Sequence, residues 1–230
     1  MFIISLIQRS PGLAIAFAIT AILAFAYHEF AHAFVADRLD DPTPRSFGRL
    51  TLNPLVHINA FGILMLFLLG FGWATTPVNP NRLRGNPRTS MAVVAVAGPL
   101  TNLLMALIYA VPIRLGIITP SFSTGILPTP FEIAIMGIYI NIVLFAFNLL
   151  PIPPLDGFTI LLGLLPAEMA YQLGALRQYG PMLLLAILIL PSLLGSRYNV
   201  FSFVIDPIMG LLVPVLTGLD YGIFLWYLQF

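Results

Sequence analysis

Residues 12–36 read GLAIAFAITAILAFAYHEFAHAFVA, an apolar run broken only by His28, Glu29 and His32. As a helix, a run of that length covers a hydrocarbon core of about 30 Å. The rest of the chain agrees, because 59% of its 230 residues are hydrophobic and 8% are charged. A soluble domain carries about a quarter charged residues, so this chain takes lipid as its solvent. Met91 to Ile113 and Ile133 to Leu155 carry no charge and are each long enough for a second and a third span. Gln178 to Ser196 and Tyr198 to Thr217 are apolar too, with Pro191, Asp206, Pro207 and Pro214 kinking or interrupting their helices. Phe61 to Trp73 is apolar but short, the length of a re-entrant or interfacial piece.

The ten basic residues are all arginine, and six of them, Arg38, Arg45, Arg49, Arg82, Arg84 and Arg88, flank the region between the first two spans. By the positive-inside rule that region faces the cytoplasm, while Arg9 and Arg114 pull mildly the other way. A net charge of +1 gives no basic field for nucleic acid. With no cysteine, disulfides and thiolate metal sites are excluded, and any metal must use His, Asp or Glu. Met1 to Ser10 has no small-residue cleavage pattern, so no removable signal peptide is expected. Between Gly48 and Pro54, the residues Arg49, Leu50, Thr51, Leu52 and Asn53 alternate polar with apolar, which fits one short exposed-edge strand or an irregular loop. The expected fold is an all-α polytopic membrane protein of about five to six transmembrane helices, with a short re-entrant/β segment between the first and second spans. Residues 1–230 read as one membrane domain, with a motif-bearing core over 12–165 and C-terminal spans over 178–217.

Chemistry enters at His28-Glu29-Phe30-Ala31-His32. Two imidazoles four residues apart on a helix lie about 40° apart around its axis and about 6 Å along it, so both reach one metal ion. Glu29 projects from the same turn, placed to take a proton from water on that metal, as in zinc peptidases. An ionisable group inside an apolar span is costly and marks a functional site by default. Catalytic zinc takes three protein ligands, so one more is needed. The third histidine of soluble zinc peptidases is absent, since position 38 is Arg38 and position 35 is Val35. His57 and the carboxylates remain. Asp156 stands apart, because it closes Asn148-Leu149-Leu150-Pro151-Ile152-Pro153-Pro154-Leu155-Asp156-Gly157, where three prolines break the helix. An ordinary proline-rich turn is the competing reading, and for His57 a histidine with backbone partners is preferred to a ligand. Gly98, Pro99, Asn102 and Asn141 fit either a cavity lining or close helix packing with interhelical hydrogen bonds.

His28-Glu29-Phe30-Ala31-His32-Ala33, Gly48-Arg49-Leu50-Thr51-Leu52-Asn53-Pro54, Gly98-Pro99-Leu100-Thr101-Asn102 and Asn148 through Asp156-Gly157 occur in an order that resembles the site-2 protease family of intramembrane metalloproteases, in its short form without a PDZ domain. The resemblance implies one catalytic zinc ion on His28, His32 and Asp156, Glu29 as base, and Asn148 holding the oxyanion or the substrate strand. It also implies a transmembrane protein as substrate, cut within the bilayer as in regulated intramembrane proteolysis. Gly48, Arg49, Leu50, Thr51, Leu52 and Asn53 would add the unwound substrate as a strand. Phe158-Thr159 and Asn59 depart from the family pattern without touching a ligand or the base. A catalytically idle zinc-bearing membrane protein that regulates a partner is the alternative. The expected location is the plasma membrane of a prokaryote with the site towards the cytoplasm, and oligomeric state is not legible.

Overall fold

The computed structural model of the chain describes residues 6–8, 10–57, 76–193 and 201–228, and every regular element among them is helical. Three helices are long and apolar enough to cross a membrane: α1 (Pro11–Arg38), α2 (Pro87–Arg114) and α3 (Pro130–Asn148). Each starts on the same local code. A side-chain oxygen of Ser10, Asn86 or Thr129 accepts from the first unpaired backbone N–H groups, and the proline that follows has no N–H to satisfy.

α1 and α3 run parallel, with α2 antiparallel between them. At one end the buried Glu132 of α3 accepts from Ser123 N and Thr129 N, and Ser10 Oγ lies 3.5 Å from its Oε1. At the other end Arg84 N donates to Leu39 O at 2.7 Å, which ties the start of α2 to the end of α1. Ala16, Ala21 and Ala24 of α1 and Ala106 and Ala110 of α2 are fully buried, and such small residues let helix backbones approach closely. Phe131, Ile135, Ile138 and Ile142 of α3 fill the space beside them. Val93, Leu100, Leu104, Ile108 and Val111 of α2 are exposed, the surface a helix offers to lipid.

α3 stops at Asn148, short of the Leu155 to which the apolar run extends. Pro151, Pro153 and Pro154 cannot continue the ladder, and residues 149–155 double back until α4 (Asp156–Leu164) begins. Gly157 sits against the Leu149 and Leu150 carbonyls, leaving no room for a Cβ, so the Asp-Gly pair is a requirement of this reversal. α4 then crosses α2 with Gly163 packed on Ala92. α5 (Ala167–Gly174) and a 3-10 turn (Ala175–Tyr179) lead into α6 (Gly180–Leu193).

One expectation holds in its coarse form and another is overturned. α6 is described over 14 residues, Gly180–Leu193, and residues 194–200 lie outside the described residues. α7 (Asp206–Thr217) and α8 (Tyr221–Leu228) are bent 98° apart, at Gly218, whose φ of 78° ends α7. Among the described residues three helices, or four if the bent pair is one span, are long and apolar enough to cross a membrane, beside the five to six expected over the whole chain. Phe61 to Trp73, the expected re-entrant piece, lies outside the described residues.

The correction concerns Gly48 to Asn53, which forms no strand. Gly48 has a φ of 67°, a turn conformation rather than an extended one. The backbone groups that a ladder would use are spent locally: Arg49 N donates to Pro44 O at 2.8 Å, Thr51 O accepts from His57 Nε2 at 2.7 Å, and Asn53 N donates to Thr51 Oγ1 at 3.2 Å. Alternation alone does not make a strand without a neighbour to pair with.

Candidate metal centre

The site grows from α1, whose inner face carries His28 and His32 one turn apart, both buried, with Glu29 buried between them. Two acceptors decide what the imidazoles present. His32 Nδ1 lies 2.8 Å from Val94 O, and a carbonyl cannot donate, so the proton is on Nδ1. His28 Nδ1 lies 2.6 Å from Asn102 Oδ1. The orientation of that amide is fixed by its nitrogen, which donates to Asn141 Oδ1 at 2.9 Å and to Ala24 O at 3.3 Å. Both rings therefore hold their proton outward and turn the Nε2 lone pair inward.

α4 supplies the third group. Asp156, the first residue of that helix, brings Oδ2 to 3.1 Å from His28 Nε2 and 3.3 Å from His32 Nε2, while the two Nε2 atoms are 3.0 Å apart. Oδ2 is buried and accepts no hydrogen bond, as expected if neither facing nitrogen carries a proton. Three lone pairs converging in a buried place repel one another unless a cation lies among them. Ligand atoms about 2.1 Å from a tetrahedral zinc lie about 3.4 Å from each other, close to the triangle present here. The donor set, two imidazoles and a carboxylate, is also one that zinc accepts, so the residues fit the ion.

α2 is thinned where it faces this triangle. A Cβ on Gly98 would stand 2.5 Å from His32 Nε2 and 2.6 Å from His28 Nε2. Because Asn102 and Val94 O hold both rings by their other nitrogens, the rings cannot swing aside without losing those bonds. Gly98→Ala is thus expected to drop zinc well below one ion per chain with helix content intact, as read by metal analysis beside circular dichroism. Packing alone does not account for this glycine; it leaves room for the ligand atoms.

Glu29 has a partner that its own helix does not provide. Residues 76–84 lie along the end of α1, tied by Asn79 N to Asp41 Oδ2 at 2.7 Å and by Arg84 N to Leu39 O. This places Thr76 Oγ1 2.6 Å from Glu29 Oε2, where it donates and fixes the carboxylate. Thr76→Val should cost about ten- to a hundredfold in turnover through loss of that alignment, with zinc retained and Thr76→Ser restoring the rate.

The other anticipated residues fall elsewhere. Asn148 is half-buried at the end of α3, and one of its amide N–H groups donates to Leu144 O at 3.0 Å. Gly48 to Asn53 lie beyond the end of α1. His57 is buried but apart from the triangle, with Nε2 donating to Thr51 O at 2.7 Å, the backbone partnership preferred for it. Thr76 and Val94 O were not singled out in the sequence, and Asn102 was left between two roles.

Fold and site together define a chain with three helices long and apolar enough to cross a membrane, built around a group of two histidines and a carboxylate that could hold a metal ion. No family model matches the chain, and no solved structure does. Among curated proteins, "Putative zinc metalloprotease YwhC" of Bacillus subtilis is 40% identical over 187 residues, covering 77% of this chain and 81% of its own. "Putative zinc metalloprotease Rip2" of Mycolicibacterium smegmatis is 30% identical over 179 residues, 75% of this chain and 66% of its own. "Putative zinc metalloprotease MJ0611" of Methanocaldococcus jannaschii is 29% identical over 168 residues, 70% of each. The chain belongs to the family of zinc metalloproteases that includes these proteins. It is a peptide-bond hydrolase, and its cofactor is zinc.

Proposed function

We propose that this protein is an intramembrane endopeptidase of the site-2 protease type, cutting other proteins in or near their transmembrane segments. The observation that carries the reading is depth: His28, His32 and Asp156 meet, with Glu29 buried on the same turn of α1, inside a bundle whose outer face is apolar. His28, His32 and Asp156 hold the zinc, which when bound supplies a Lewis acid that polarises a carbonyl and acidifies water. Glu29, held by Thr76, takes the proton of the attacking water at its carboxylate and returns it to the leaving amine. Asn148 keeps a second amide N–H with which to donate to the oxyanion.

Substrate access is supported by an apolar groove of about 740 Å³ between α1, α2 and α4. Phe30 and Phe34 form one wall, Val96 and Leu100 the other, and Leu52 of the 48–53 segment closes one side. We take Gly48 to Asn53 as the segment that meets the unwound substrate. Orientation follows from charge: Arg38, Arg45, Arg49, Arg82, Arg84, Arg88 and Arg177 gather at the end that carries Asp156, and Arg114 lies at the other. The site thus faces the cytoplasmic side of a prokaryotic plasma membrane. Reconstituted protein should cleave a single-span substrate within its apolar segment, lose that activity to a zinc chelator and regain it with zinc. Cleavage confined to soluble peptides, or none in the zinc-loaded protein, would remove the intramembrane reading.

A further inference from the structure

A second cavity, of about 860 Å³, opens where the start of α2 meets α4, α5 and the 3-10 turn that follows. Its polar lining includes Arg88, Arg177, Thr159 and Gln172, and no described residue that lines it is acidic. Arg88 Nη1 is buried with no hydrogen-bond partner among the described residues. Among the described residues Arg177 has one long contact, Nη2 to Thr159 Oγ1 at 3.4 Å, and neither arginine takes part in an ion pair. A guanidinium cannot shed its charge, so Arg88 and Arg177 bring two fixed positive charges to the lining of a cavity that no described acidic residue lines. The backbone at the helix start is not what calls for an anion, because Asn86 Oδ1 already accepts from Arg88 N and Thr89 N.

From this we propose that the cavity binds a phosphate group, gripped between Arg88 on α2 and Arg177 beyond α5. Two guanidinium forks facing one space suit a tetrahedral oxyanion, which accepts paired charge-assisted bonds. Depth favours a phospholipid headgroup as its source. Arg88 stands in the first turn of a spanning helix, at the level of the membrane surface, and Met91 and Leu162 give the cavity apolar walls on which an acyl chain can lie. Occupancy would bridge α2, whose Gly98 and Val94 back the histidines, to α4, which carries Asp156.

The full chain, purified in neutral detergent with its zinc, provides the test. After exposure to equal amounts of phosphatidylglycerol and phosphatidylcholine and a detergent wash, native mass spectrometry should show at least about tenfold preference for the anionic lipid, the effect of one or more charge-assisted bonds. Arg88→Gln with Arg177→Gln should abolish the preference and leave the zinc content unchanged. Inorganic phosphate, titrated by thermal shift, separates the sources. Stabilisation of the parent chain at millimolar phosphate, absent in the double variant, would support a soluble phosphate ligand, and lipid preference alone supports the headgroup. If Arg88→Gln prevents folding, Arg177→Gln alone carries the comparison, since that residue is exposed. No preference in the parent and no response to phosphate, or equal behaviour in parent and variant, overturns the site. None of these readings depends on proteolysis.

Discussion

Glu29→Gln should leave the zinc content and the fold of this protein unchanged and lower turnover by about 10²–10⁴-fold, the range for losing a general base. The residue is buried next to His28, but its carboxylate points to Thr76 rather than into the ligand triangle, so removing its charge takes nothing from the metal. Glutamine keeps the side chain's length and can still accept from Thr76 Oγ1. What it cannot do is take a proton from the attacking water. The apolar surroundings make the swap gentle on stability, because a neutral amide costs less to bury than a carboxylate. Metal analysis, circular dichroism and a cleavage assay on one preparation check the three parts. A variant that cleaves normally would remove Glu29 from the chemistry, and one that loses zinc would make it a ligand.

Much of this site was legible because α1 carries it locally. The spacing of His28 and His32 needs only the helix repeat to place both on one face, and the helix was legible from an apolar run that no soluble protein would keep. Asp156 was half-legible. Three prolines announced that the chain must break near it, but that the break turns Oδ2 towards the histidines depends on Gly157 lying against the Leu149 and Leu150 carbonyls and Gly163 on Ala92. The groups that hold the ligands were the least legible. Asn102 lies 74 residues from His28, and Thr76 lies 47 from Glu29. Val94 acts through a backbone carbonyl that any residue would supply.

Where the sequence misled, the reason was also physical. Polar and apolar residues alternate from Arg49 to Asn53, yet a strand is stabilised by its neighbour, and here Pro44 O, His57 Nε2 and Thr51 Oγ1 take the backbone groups first. In the C-terminal part, glycine and proline mark the helix ends that are described, with α6 starting at Gly180-Pro181 and α7 ending at Gly218.

Replacing the ligands and their supports one at a time should give a graded loss of zinc, and the gradation follows from the distances. Asp156→Ala, His28→Ala or His32→Ala each leaves two donors of the triangle, too few for a catalytic site, and metal and activity should disappear together. Asp156→Ala is the most telling of these, because its carboxylate comes from another helix and from beyond the proline break. Asn102→Ala keeps all three donors but frees the His28 ring, and a lost support of this kind costs about 10–100-fold in metal affinity. That variant should hold zinc when the metal is in excess and lose it to a competing chelator sooner than the parent. His57→Ala should change neither zinc nor rate, since its ring lies apart from the triangle and its Nε2 donates to Thr51 O. The order is therefore Asp156 and the two histidines first, Asn102 next, His57 last. Zinc stripped by His57→Ala and kept by Asp156→Ala would mean that the carboxylate faces the two Nε2 atoms without binding the metal between them.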